Sequence, residues 1–177
     1  MVRLKVWLAI AGLALRMGPI WAQTPVATGI QMEHGKPAGP LTPVKISFED
    51  KSSEWTATTL AALPHQTLTV RNEHTKKDET YSGVALINLL TKLGVPDKPH
   101  GKGFRLYLEA EGSDGYVVVY SVAEVTPDVH DGTVIVADAI DGKPIGDDGP
   151  LKLVATGEKR PARWVRNLEA IRVLTAQ

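Results

Sequence analysis

Residues 104–121 read FRLYLEAEGSDGYVVVYS, and the organisation of the chain turns on this stretch. Phe104, Leu106, Leu108 and Ala110 alternate with Arg105, Tyr107, Glu109 and Glu111, the period of two expected of a half-buried strand. Tyr116 to Tyr120 is apolar on both faces. Between the two runs, Gly112-Ser113-Asp114-Gly115 supplies two residues that tolerate positive φ and an Asp that can fold back on its own backbone. The pattern predicts a long antiparallel hairpin whose second strand lies inside a sheet, with any pocket close to its turn.

Working outward, Val44 to Phe48 alternates apolar and polar residues and predicts a first strand. Thr56 to Leu63 reads as a short helix with Leu60 and Leu63 inward, stopped by Pro64. Thr67 to Arg71 reads as a strand. Tyr81 to Leu93 carries Leu86, Leu89, Leu90 and Leu93 on one helical stripe, with Ser82 as cap and Gly94 and Pro96 as the stop. After the hairpin, Ser121 and Glu124 stand at the spacing of a capping box, and Pro127 ends that turn. Thr133 to Ala137 and Leu151 to Ala155 read as strands flanking Asp-Gly turns at 141–142 and 148–149. Arg163 to Asn167 fits one helical turn and Leu168 to Leu174 a closing strand. Strands and helices intersperse without regular βαβ spacing, which predicts an α+β domain with mixed, mostly antiparallel sheets.

With 177 residues the chain accommodates one domain with a substantial core. Arg3 and Lys5, the ten-residue apolar run Val6 to Leu15, and Ala22 at a cleavage position read as a signal peptide over 1–22. That run is shorter than the ~20 residues of a membrane span. The expectation is therefore an exported, periplasmic chain with no membrane span after cleavage. Pro25, Pro37, Pro40 and Pro43 with Gly29, Gly35 and Gly39 mark 23–43 as a linker, leaving 44–177 as the domain. Cleavage removes Arg3, Lys5 and Arg16 and no acid, so 17 basic and 20 acidic side chains remain, a balance that excludes a nucleic-acid surface. There is no cysteine, which excludes disulfide staples and iron–sulfur clusters held by protein thiolates.

Several joints carry recognisable residues: Tyr81-Ser82-Gly83-Val84 before Leu86 and Leu89-Leu90, Asp114-Gly115-Tyr116, and Asp141-Gly142-Lys143-Pro144-Ile145. Gly149-Pro150-Leu151-Lys152-Leu153-Val154 and Arg163-Trp164-Val165-Arg166 follow. In this order, over about 44–173, the chain resembles the molybdopterin-binding domain of the sulfite oxidase family. The resemblance implies the α+β architecture of that domain, a buried pterin carrying molybdenum, and a cysteine thiolate on the metal just after the strand at 67–71. Here that position continues Asn72-Glu73-His74-Thr75. Molybdenum in such enzymes depends on soft sulfur donors, so the resemblance carries the fold further than the reaction.

Asp114 and Tyr116 are the residues that the resemblance sets beside the cofactor cleft; a hairpin turn closed by an Asx bond, with the tyrosine packed below it, accounts for them more simply. Arg160 and Arg163, with Lys159 and Arg166, suit a phosphate or carboxylate through forked hydrogen bonds, or form a solvated positive face. Replacing Arg163 with alanine is then expected to weaken anion binding and leave the melting temperature unchanged. Trp164 reads as a core anchor. Glu73 and His74 stand where a metal ligand would be sought, yet two groups make no metal site, and none is expected. Asp128, His130 and Asp131 read as a loop.

These observations point to a non-catalytic binding module for a small anionic ligand or a periplasmic protein partner, with no cofactor required and molybdopterin retained as the cofactor that the resemblance implies. A molybdopterin-dependent oxidoreductase with an unusual metal linkage, or an accessory subunit of an exported redox complex, is the alternative.

Overall fold

The computed structural model describes residues 42–72 and 76–177. The expected signal peptide, all but the last two residues of the expected linker, and Glu73 and His74 lie outside the described residues. Strands β1 (Val44–Phe48) and β2 (Lys51–Trp55) form a first hairpin, and helix α1 (Ala57–Leu60) follows. Next come β3 (Gln66–Asn72), β4 (Lys77–Ala85) and helix α2 (Leu86–Leu90), which tightens into a 3₁₀ turn at Thr91–Leu93. β5 (Leu106–Gly112), β6 (Val117–Ser121), β7 (Val134–Ile140), β8 (Lys143–Pro144), β9 (Lys152–Ala155) and β10 (Leu168–Thr175) complete the order.

The strands form two sheets. One runs β2-β1-β10-β5-β6; the other runs β3-β4-β7-β8, with β9 also paired to β7. Among the described strand pairs only β1 with β10 is parallel. The expected α+β class with mixed, mostly antiparallel sheets is what the chain adopts. β10 sits between β1 and β5, with Leu168, Ile171 and Val173 facing the core and Glu169 and Arg172 facing water.

The main core joins both sheets: Ile46, Leu108, Val118, Tyr120 and Ile171 from one meet Val84, Val134 and Val136 from the other, together with Leu60 and the α2 leucines. A smaller cluster, Tyr81, Ile135, Ala137, Ile145 and Val154, with Trp164 packed on it, lies on the opposite face of β7. β7 is therefore apolar on both sides, as a strand covered on both faces must be.

Several expectations are corrected. The helix predicted from Tyr81 begins only at Leu86: 77–85 is a strand paired on both sides, Ser82 lying opposite Thr67 and Ala139. The stripe Leu86, Leu89, Leu90, Leu93 is real and buried, but Tyr81 and Ser82 precede it, and Ala85 stands at the cap without a side-chain bond. Gly94 does end the element, with φ of 97°.

The central hairpin forms as read, with Gly112 to Tyr116 as its turn, yet β6 is an edge strand. Val118 and Tyr120 are buried while Val117 and Val119 are 46% and 50% exposed. Phe104 is 53% exposed because 101–105 is a 3₁₀ turn and alternation starts at Leu106. The helical turn expected at 163–167 lies earlier, at Pro161–Arg163, and Val165 instead bridges Leu153 as a strand would. β2 was invisible to periodicity because Lys51-Ser-Ser-Glu-Trp55 has no apolar alternation; the turn at Glu49-Asp50 folds it back on β1. The Ser121–Glu124 capping box makes both reciprocal bonds, at 3.2 and 2.8 Å.

Candidate functional site

The register of the second sheet builds a cleft of about 960 Å³. β3 ends in it with Arg71 and Asn72, β4 supplies Glu79 and Tyr81, β7 supplies Ile140, and β9 supplies Lys152. Asp148 enters from the turn before β9, and Lys159, Arg160, Pro161, Trp164 and Arg166 from the segment after it.

Lys152 organises the floor. It stands in an apolar strand, only 6% exposed, between Leu151 and Leu153. A buried ammonium needs partners, and two are in place. Its Nζ donates to the Tyr81 hydroxyl at 3.1 Å and to Asp148 Oδ2 at 2.5 Å. It also lies 4.9 Å from the Tyr81 ring centroid and 5.3 Å from that of Trp164, within cation–π range. Tyr81 and Trp164 meet edge to face at 5.5 Å, and the indole N–H donates to the Ala155 carbonyl at 2.8 Å.

The polar chain continues in both directions. The Tyr81 hydroxyl donates to Glu79 Oε2 at 3.0 Å, and Asn72 Nδ2 donates to Glu79 Oε1. Burial pushes the Tyr81 hydroxyl well above its ordinary range, and the Glu79 carboxylate adds to this, so it serves as a neutral donor and acceptor. At the other end Asp148 Oδ1 lies 3.8 Å from Arg166 Nη1. Among the described residues no buried side-chain polar atom is left without a partner.

Among the described residues, five cationic side chains and two carboxylates line this cleft, in a chain whose 20 basic and 20 acidic residues cancel overall. Arg71 is held by Asp78 at 3.3 Å. Lys159 and Arg160 are exposed at the rim and, among the described residues, form no ion pair. A second hollow, about 360 Å³ against β1, β2 and β10, sets Lys45, Lys51 and Arg172 against Glu49 and Asp50, a smaller excess of positive charge, and among the described residues no aromatic side chain lines it.

The residues singled out from sequence are split by the structure. Arg160 lines the cleft. Arg163 does not: it pairs with Glu124 at 2.9 Å and with Glu158, and stacks 4.3 Å from the Tyr120 ring centroid. Asp114 Oδ1 accepts the Tyr116 N–H at 3.0 Å, and the Tyr116 hydroxyl donates to the Ala162 carbonyl. Asp114 and Tyr116 thus close and tether the hairpin turn, and neither lines the cleft, which lies along β4, β7 and β9 instead. Trp164 is both a packing residue and a wall.

Tyr81, Glu79, Asp148 and Lys152 were missed as site residues. The legible signal was Lys152 itself, a lone charge within the apolar run 151–155. His130 Nδ1 accepts the Gly132 N–H and Asp128 pairs with Lys98 at 3.2 Å, so that cluster is an ordinary loop.

Arg163→Ala is now expected to lower stability by about 1–2 kcal/mol, the scale of two partly exposed ion pairs and one cation–π contact after solvent screening. Chemical denaturation checks this, and an unchanged midpoint would refute it. Burial alone would raise the Glu124 carboxyl, but the Ser121 N–H and the Arg163 guanidinium outweigh it and hold the group below its ordinary 4.5. Its share of the network is therefore fully present above pH 4.5 and is lost as pH falls through the lower folded value.

The residues present do not fit a metal held through a protein thiolate. The chain has no cysteine, and among the described residues no three His, Cys, Asp or Glu side chains converge. Asn72, the last residue of β3, begins the stretch where the resemblance would put the sulfur. Also among the described residues, no helix is long and apolar enough to cross a membrane.

No protein-family profile matches the chain, and no curated protein does. Among solved structures it is similar to the crystal structure of the sulfane dehydrogenase SoxCD from Paracoccus pantotrophus, with a TM-score of 0.56 at 22% identity over 74% of this chain. The match spans 37% of that chain, little more than a third of its length. At this identity the likeness establishes architecture, and what the chain has is a distant sulfite-oxidase-like fold.

Proposed function

We propose that this chain is an exported binding module in which the sulfite-oxidase-like scaffold holds a small anionic ligand in the Tyr81–Lys152–Trp164 cleft. The observation that carries the reading is the concentration, among the described residues, of five cations against two carboxylates in one concavity of a protein with no excess of basic residues overall. Its volume lies within the ~300–1,000 Å³ typical of small-molecule sites. Ile140, Pro161, Tyr81 and Trp164 supply apolar wall, and Lys159 and Arg160 supply charge that no carboxylate of the described chain consumes. Such groups bind oxyanions through charge-assisted hydrogen bonds.

Calorimetric titration of the full chain with inorganic phosphate tests this. Wild type should bind, and the double variant Lys159→Ala/Arg160→Ala should bind about tenfold or more weakly, since one charged hydrogen bond is worth ~1.5–3 kcal/mol. Its melting temperature should not change, because both side chains are exposed and form no ion pair among the described residues. Absence of phosphate binding by wild type, or equal affinity in the double variant, would overturn the reading. Metal analysis of the same protein separates it from the oxidoreductase alternative, which requires stoichiometric molybdenum.

A further inference from the structure

The floor of the cleft already contains an anion. Asp148 spreads its carboxylate over two cations, Oδ2 on Lys152 Nζ at 2.5 Å and Oδ1 toward Arg166 Nη1 at 3.8 Å, and its side chain is 33% exposed to the cleft and solvent. Its backbone is pinned: the Asn167 N–H donates to the Asp148 carbonyl at 2.6 Å, and Gly149 follows at φ of 92° hard against Asn167. The carboxylate, by contrast, is held among the described residues only by the two cations. We propose that Asp148 occupies the seat of the ligand's anionic group, so that a ligand reaches the floor by displacing it from Lys152 and Arg166. This rests on the anion-binding reading above.

The consequence is a choice among anions. A tethered carboxylate competes at an effective concentration of roughly millimolar or more. A free monocarboxylate offers the same chemistry in dilute solution and gains nothing by the exchange. A divalent oxyanion attracts Lys152 and Arg166 more strongly, and also meets the uncommitted Lys159 and Arg160 at the rim. The ligand class that follows is a divalent or higher oxyanion, with simple monocarboxylates rejected by Asp148 itself.

The test is calorimetry on the full chain with inorganic phosphate and with acetate. Asp148→Asn keeps the shape and removes the competing charge; it should bind phosphate about tenfold more tightly than wild type and gain measurable acetate binding, as expected when a competent state is no longer occluded. Asp147→Asn, the same charge change on the exposed neighbour, should bind as wild type does. If wild type binds phosphate and loses it in Lys159→Ala/Arg160→Ala, while Asp148→Asn binds no better than wild type, the displacement is refuted and the anion site stands. If wild type binds no phosphate, the anion site itself falls, and this proposal with it. Should Asp148→Asn fail to fold, the wild-type Asp148 carboxyl ¹³C and Lys152 Nζ resonances decide. Both shifting together to saturation with phosphate supports displacement; a stationary Asp148 while the Lys159 and Arg160 amides shift refutes it.

Discussion

Replacing Gly83 with alanine is expected to cost about 3 kcal/mol or more, at or beyond the top of the range for overpacking, because the obstacle is backbone. A Cβ on Gly83 would stand 2.2 Å from the Val136 carbonyl oxygen and 2.5 Å from the Ala137 Cα. No rotamer change relieves a contact with the neighbouring strand, so β4 and β7 must move apart. The register shift between Ser82 and Gly83 already bends the ladder there, as a glycine at close backbone approach permits. Separation would also draw Tyr81, two residues away, from Lys152 and Trp164, coupling the loss of stability to the cleft. Urea denaturation measures the cost, with Ser82→Ala as the neighbouring control. A Gly83→Ala midpoint equal to that of wild type would show that the two strands approach less closely than described.

Leu89→Ala is expected to cost ~2–5 kcal/mol, the range for removing a fully buried leucine and leaving a partly collapsed cavity. Leu89 has no exposed surface and belongs to the cluster that joins both sheets, so the cavity would open where the sheets meet. Exposed Asn88, the preceding residue, provides the control: Asn88→Ala should lie within about 0.5 kcal/mol of wild type. If the two variants unfold at the same denaturant concentration, the helical stripe does not face the core.

Legibility differed between the fold and the site. Alternation at 106–110 and at 168–173 identified β5 and β10, since a half-buried strand writes its two faces into adjacent residues. Asp141-Gly142 announced its turn, and both residues take positive φ, 49° and 74°. The stripe of α2 was legible, but its start was not. Tyr81 and Ser82 satisfy a helix pattern equally well, and only pairing with β3 and β7 makes them strand. Arg160 and Arg163 looked alike in sequence; one faces the cleft and the other is consumed by Glu124 and Glu158. Asp114 and Tyr116, which the resemblance sets beside a cofactor, form the hairpin turn that is the alternative reading and sit away from the cleft.

From the sequence alone came the class of fold, most strand positions, the capping box at Ser121 and Glu124, and the lack of any thiolate for a metal. Each is a property of neighbouring residues or of composition, and so is written locally. Sheet order and the lining of the cleft belong to the tertiary structure. Tyr81 and Lys152 meet across 71 positions because β4 and β9 both pair with β7. No periodicity records which edge of a strand a distant segment will take. That choice depends on burying both faces of β7 at once, and with it on where a lone lysine in an apolar strand finds a hydroxyl and a carboxylate.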